Sequence, residues 1–476
     1  MSLALAFLAC VAAFALIGWL AARRHRPSVD DYLLAGRDAR PWLVALSSAA
    51  TTSSGLMFIA LLGFTYRAGV QAIWLPAGWI AGDVIAWRWI YPRVRLRAET
   101  SEATTVTQLV VPQDGRTTSS SLAIAVAALT LVFLCGLAGA QLHAGSVALD
   151  GFFDWGAAPG ILLGGAIVVA YCLAGGLRAS LWTDAAQALT LLVALGALVG
   201  FAVVEVGGPR ALWTDLAAAD PTLVAWSPED PAFGLGAYAL GLVFGGLGAI
   251  GQPHVLIRTM AIDSVTGMRR AFHVYLLWRI PFSFVVIAAG LCARVLVPDL
   301  GGGGTVADAS IALRAVAYLV LPDAFVGVLL AAVFAATMTS AGAQLLSCSA
   351  AISQDLSRRS SYGYVKLATL TVGVLAMTSA LVGGERIVAL GLGAWSALGA
   401  SIGPLVLLRL WGQPIPTNVG LAMMAVGLTI ALAWARSPWA GDVLELLPAM
   451  IGPLIVYAIG RRVGAGEVRS RATTRS

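Results

Sequence analysis

The sequence predicts an all-α polytopic membrane protein that crosses the bilayer about thirteen times, on three observations. Of 476 residues, 59% are hydrophobic and only 11% are charged. Apolar runs of about twenty residues, enough to cross ~30 Å of hydrocarbon, recur from end to end with short polar connectors between them. These runs are continuous, without the alternation of a barrel strand, so a β-barrel is set aside.

In order, the predicted spans are 2–20, 40–64, 70–91, 119–147, 158–177, 181–206, 232–257, 272–298, 307–356, 363–382, 387–408, 417–435 and 441–460, the ninth preceded by an extracellular section. The first reads as a retained span, because its charges (Arg23, Arg24, Arg26) follow the apolar run, whereas a cleavable signal carries them in front. With the N-terminus outside, the connectors holding Arg37 and Arg40, Arg93 to Arg116, Arg258 to Arg270 and Arg358 to Lys366 all fall on the cytoplasmic side. So does the basic tail 461–476, read as disordered and resting on anionic lipid. An odd number of spans, N-terminus out and C-terminus in, satisfies the positive-inside rule. The net charge of +6 is then a topology signal, and nucleic-acid binding is excluded as its purpose. The reading is a multi-pass membrane protein in contact with lipid; the sequence sets no oligomeric state.

Two spans are interrupted. The span 40–64 carries Ala50-Thr51-Thr52-Ser53-Ser54-Gly55, and the span 232–257 carries Gly245 through Gln252-Pro253. Unpaired polar groups are costly in hydrocarbon, so such clusters line protein-enclosed cavities. Broken spans at matching places in two halves point to a transporter with inverted repeats and a midplane site. The division that follows is an extra helix and loop at 1–39, repeats at 40–206 and 232–408 joined by an extracellular connector at 207–231, and two further helices at 409–460 before the tail. For any single glycine, close helix packing is the plainer explanation.

A third polar element lies within the ninth span, where Ala336, Thr339 and Ser340 stand at i, i+3 and i+4 and so share a face. One carbonyl and two hydroxyls there, with carbonyls of Ala50 and Ser53 freed by the first break, make five neutral oxygens for a dehydrated Na⁺. The alternative is that both hydroxyls merely bond back to the preceding turn.

The segments Asp31 to Arg37, Ala50 to Gly55, Ser180 to Gln187, Gly251-Gln252-Pro253-His254 with Arg258 and Met260, Met338-Thr339-Ser340 through Ser349, and Ala394-Trp395 through Gly403-Pro404 occur in order over most of the chain. Together they resemble the sodium:solute symporter family, nearest its bacterial sodium/proline branch. The resemblance implies a leucine-transporter-type inverted-repeat fold, Na⁺ as coupling ion with no other cofactor, and a small organic solute, whether proline, another amino acid or a carboxylate-type nutrient, moved by alternating access. It implies a sodium site at Ala50, Ser53, Ala336, Thr339 and Ser340, and a solute site near Thr52, Ser54, Gly55, Gly245, Ala249, Gln252 and Trp395.

Three departures bear on it. The proline branch has an acid where this chain has Thr52, which removes a charge that favours a cation. Aromatic residues of its solute pocket align near Gly245, Ala249 and Leu131. Members with a second sodium site have hydroxyls where this chain has Gly342 and Ala343, so one coupling ion is expected, although Asp184 is kept.

Asp184, after Trp182-Thr183, is read as a helix N-cap, or by resemblance as a second-ion or gating residue. Asp83 is either a functional intramembrane carboxylate, which would permit H⁺ coupling, or an interfacial partner of Arg88. His143 reads as interfacial, His254 as structural, and Trp395 as a pocket wall or a packing residue. No nucleophile, metal-ligand cluster or phosphate loop is found, so an enzyme is not expected. A symporter-like sensor is the remaining rival, and it would need an output module.

Overall fold

The computed structural model describes residues 2–24, 26–111, 121–228, 230–298, 306–357 and 361–473. It is helical throughout; its one β-bridge among the described residues joins Ala39 and Ile262. The helices run α1 Ser2–Ala22, α2 Val29–Leu34, α3 Pro41–Thr52, α4 Gly55–Ala68, α5 Trp74–Ile85, α6 Tyr91–Thr100 and α7 Val106–Val110. They continue with α8 Ser121–Phe153, α9 Ala157–Glu205, α10 Pro209–Ala219, α11 Gly234–Leu247, α12 Pro253–Ala261, α13 Val265–Leu296 and α14 Val306–Val320. The last five are α15 Asp323–Ala350, α16 Tyr362–Gly383, α17 Glu385–Leu410, α18 Thr417–Trp434 and α19 Leu446–Thr473.

Ten helical stretches among the described residues are long and apolar enough to cross a membrane. Two of them, Gly55–Thr100 with 46 residues and Ala157–Glu205 with 49, have more than twice the residues one crossing needs. Each is divided by a glycine in the left-handed region, Gly69 (φ 67°) and Gly176 (φ 54°). At Gly176 a Cβ would lie 2.3 Å from the carbonyl oxygen of Tyr32, so only glycine allows the chain to turn against α2.

This turn corrects one expectation. The helix predicted to begin at 181 starts just after Gly176, and Asp184 stands about two turns inside it. Asp184 is therefore not an N-cap. A second correction concerns the C-terminus: α19 extends to Thr473, where a disordered tail after residue 460 was expected.

The burial gradient runs from rim to centre. In its most apolar stretch α1 is 17% buried, whereas that of the α15 span is 83% buried. α15 is thus the central post, packed against α1, α3, α8, α9 and α16. α17 packs on α8 and on the 3₁₀ turn Gly248–Gly251 that joins α11 to α12. The polar segments of the sequence are held inside this scaffold, where the backbone groups freed by a break have protein partners in place of lipid.

Candidate functional site

Both interruptions are real breaks. α3 ends where Ser53 leaves helical geometry (φ −106°, ψ 46°), and Ser54 (φ −52°, ψ 159°) caps α4 by accepting from the Met57 amide at 3.3 Å. In a continuous helix Ser54 N–H would serve the Ala50 carbonyl and Met57 N–H the Ser53 carbonyl. The break sends the Met57 amide to Ser54 Oγ instead and takes the Ala50 and Ser53 carbonyls named from sequence out of the regular helical ladder. Across the break, Gln141 on α8 accepts from the Leu56 amide at 3.4 Å.

The second break falls at Gln252 (φ −96°, ψ 104°), after the 3₁₀ turn and before Pro253, which opens α12. The Gln252 amide nitrogen donates to the carbonyls of Trp395 at 2.8 Å and Gly248 at 3.3 Å, tying the unwound segment to α17.

On α15 the hydroxyls divide into two kinds. Thr337 bonds back to the Phe334 carbonyl at 2.7 Å, as hydroxyls commonly do in membrane helices. Thr339 does not; it donates to Oε1 of Gln187 on α9. Ser340 Oγ is fully buried and has no partner among the described residues, although a buried unsatisfied hydroxyl costs roughly 1–3 kcal/mol. Thr51 and Thr52 on α3 follow the ordinary pattern, bonding to Ser47 O at 2.8 Å and Ser48 O at 3.0 Å. α3 and α4 both pack on α15, and Gly55 sits so close to Thr337 that a Cβ there would lie 2.3 Å from its Cγ2.

A small cavity opens beside the first break. Its walls are Thr51, Thr52, Ser54, Leu56 and Met57 from the break, Leu137 and Gln141 from α8, His254 from α12, Gln344 from α15, and Gly391 and Trp395 from α17. The structure thereby gathers Thr52, Ser54 and Trp395 of the expected solute residues, while Gly55, Gly245, Ala249 and Gln252 do not line this space. Gln344 Oε1 and His254 Nδ1, on residues that line it, are buried without hydrogen-bond partners among the described residues. Sequence reasoning left out Gln141 and Gln344 and treated His254 as structural. The available signal was a lone amide in an otherwise apolar span, as at Gln141.

The space beside Gly245, where the proline branch is expected to carry an aromatic residue, is taken. Trp79 of α5 stacks on Trp395 with ring centroids 5.8 Å apart and 8° between planes, and Trp395 Nε1 donates to the Gly245 carbonyl at 3.0 Å. A Cβ on Gly245 would meet Trp79 Nε1 at 2.4 Å. Here the small residue makes way for an indole from another helix rather than for a larger solute. Ala249 is buried in the 3₁₀ turn.

Two buried carboxylates flank the breaks. Asp184 receives Arg258 Nη2 at 2.9 Å, Ser47 Oγ at 2.6 Å and Ser180 Oγ at 3.1 Å, all on Oδ2. Asp83 is 4% exposed, so it is not interfacial, and its partners are Tyr275 (2.7 Å) and Arg279 (3.7 Å) rather than Arg88. Tyr275 lies 3.3 Å from the Thr52 hydroxyl, and Arg279 donates to Ser53 Oγ. Asp83 is thus linked to the first break through two α13 side chains that sequence reasoning did not single out, Tyr275 and Arg279.

The model of the sodium:solute symporter family matches residues 32–427. The chain belongs to that family. The sodium/proline symporter of Salmonella typhimurium is 29% identical over 455 residues, covering 92% of this chain and 88% of the relative. The high-affinity proline transporter PutP of Bacillus subtilis is 28% identical over 450 residues, covering 92% and 93%. Among solved structures, an outward-open Na⁺-coupled sialic acid symporter superposes with a TM-score of 0.78 at 20% identity, covering 96% of each chain. The nucleobase-cation-symport-1 transporter Mhp1 gives 0.57 at 16% identity over 90% of this chain and 94% of its own. The fold is that of the leucine-transporter-type carriers. As a member of the family the chain is a membrane carrier that couples solute uptake to Na⁺ by alternating access, and its relatives are transporters, not enzymes.

Proposed function

We propose that one Na⁺ binds between α3 and α15, held by the carbonyls of Ala50, Ser53 and Ala336 and the hydroxyls of Thr339 and Ser340, and that it organises an adjacent site for a small amino-acid-like or carboxylate-type solute. The observation that carries this is the behaviour of α15: Thr339 and Ser340 forgo the back-bond that Thr337 makes, and Ser340 stays buried without a partner among the described residues. Neutral oxygens suit a hard cation that must be released each cycle. Na⁺ bridging the two helices favours the outward-open state and a formed solute site, and by linkage the solute tightens Na⁺.

The solute cavity is the space beside Ser54, Gln141, His254, Gln344 and Trp395, polar at one side and apolar at Leu56, Met57 and Leu137. Proline leads the candidates because the relatives named above are proline carriers. The repeats run 40–206 and 232–408, the N-terminus faces outward and the C-terminus the cytoplasm of a bacterial inner membrane.

The test is melting of the purified protein against a solute library, each compound in NaCl and in choline chloride, followed by uptake into proteoliposomes. A native-state ligand raises apparent stability by mass action. A solute whose stabilisation needs Na⁺ is the expected result, and Ser340→Ala is expected to abolish that dependence. Stabilisation and uptake equal in both salts would shift coupling to H⁺, with Asp83 the carboxylate to examine.

A further inference from the structure

We infer that Gln187, on α9, is a positioning residue of the sodium site, acting through Thr339. The inference rests on the sodium site proposed above. A hydroxyl has one hydrogen and two lone pairs, so it can face a cation only if its hydrogen is directed elsewhere. On a helix the default destination is a carbonyl three or four residues back. For Thr339 those are the carbonyls of Ala336 and Ala335, and Ala336 is itself a proposed ligand.

The structure gives the hydrogen another place to go. Thr339 Oγ1 donates to Gln187 Oε1 on a different helix, and both side chains are buried, at 0% and 6% exposure. The Thr339 lone pairs are then left for the ion, and the Ala336 carbonyl, which takes the helical Ser340 amide on one lone pair, keeps its other lone pair for it. The other side of Gln187 borders an apolar cavity between α1, α9 and α15, walled by Phe14, Trp19, Phe334 and Met338. The hydroxyls of Tyr171 and Thr183 also line that cavity, and each donates to a main-chain carbonyl, Tyr171 to Met338 at 3.0 Å and Thr183 to Ser180 at 2.9 Å, while Thr339 donates to Gln187. Outer-shell partners of this kind change metal affinity by about 10–100-fold when removed.

The experiment compares Gln187→Leu and Gln187→Glu with the unaltered protein, reading the NaCl concentration for half-maximal thermal stabilisation of the purified carrier and, separately, Na⁺ half-saturation of uptake at saturating solute. Leucine removes the acceptor and is expected to raise both Na⁺ values at least about tenfold with maximal uptake little changed. Glutamate can only accept, so its values should stay at or below those of the unaltered protein.

A structural role alone would lower yield and maximal rate in both variants with the Na⁺ values fixed, and that result overturns the inference. If the leucine variant does not fold, a tenfold rise in the glutamate variant overturns it and a value at or below the original supports it. Thr339→Ala separates the layers. Should it keep normal Na⁺ dependence, the sodium site itself is misplaced; should it lose that dependence while Gln187→Leu keeps it, only the role of Gln187 falls.

Discussion

Arg258 holds Asp184 at 2.9 Å with both side chains fully excluded from solvent. The arginine also donates to Ser47 Oγ at 2.7 Å and to the His254 carbonyl at 2.6 Å, so one guanidinium joins α3, α9 and α12. Removing one partner of a buried pair leaves an uncompensated charge and costs about 3–5 kcal/mol, whereas replacing both by apolar residues is often close to neutral. Asp184→Leu should therefore lower the detergent melting temperature sharply, and Asp184→Leu with Arg258→Met should recover most of it. Equal melting of the single and double variants would show that the pair does not act as a unit.

Gly245→Ala tests the indole stack. The added methyl must displace Trp79, whose pairing with Trp395 forms a wall next to the solute cavity. An aromatic pair is worth ~0.5–1.5 kcal/mol beyond its buried area, so the solute KM should rise roughly 2–10-fold. Stabilisation by Na⁺ alone should persist, because the proposed ion ligands lie on other helices. An unchanged solute KM would mean that the stack does not shape the pocket.

Asp83 bears on the choice of ion. With Tyr275 at 2.7 Å and Arg279 at 3.7 Å, its carboxylate is committed to partners in the protein. A proton gradient imposed on proteoliposomes without Na⁺ is accordingly expected to drive no solute accumulation. Accumulation under that gradient, lost in Asp83→Asn with Arg279→Gln, would make Asp83 a proton carrier.

Thr52 offers a gain-of-function test. An acid beside a cation site favours the ion. Thr52→Asp, which supplies the acid that the resemblance implies at this position, should lower the Na⁺ concentration needed for half-maximal uptake by several-fold, on the order of one pKa-unit equivalent of attraction. If the requirement rises instead, the hydroxyl that Tyr275 now contacts is needed as it stands.

Both breaks were legible because the chain announces them locally, with clustered hydroxyls at Thr51 to Ser54 and with glycines followed by Gln252-Pro253. The face of Ala336, Thr339 and Ser340 was legible because helical spacing alone brings those residues together. The turn at Gly176 was misplaced by several residues, since a single left-handed glycine does the work that a polar loop would otherwise have signalled. The cavity was only partly legible. Gln141, His254 and Gln344 lie on three helices, and nothing in the local pattern of any one of them reveals the other two. The filling of Gly245 by Trp79 is likewise a relation between two helices, and a small residue in sequence cannot say whether its space stays open.

The two carboxylate–arginine pairs also set how the carrier responds to voltage. Asp83 faces Arg279 and Asp184 faces Arg258, so the residues flanking the breaks sum to no net charge. With a neutral residue at Thr52, the proposed sodium site adds none of its own. If one Na⁺ moves with a net-neutral solute, as proposed above, the loaded form is singly positive and the empty form uncharged. Moving one charge through the full potential is worth about 2.3 kcal/mol per 100 mV. Membrane potential would thus pull on the inward, loaded half of the cycle and leave the empty return untouched, and solute would evoke an inward current. An acid at position 52 would reverse that assignment, placing the voltage dependence on the return.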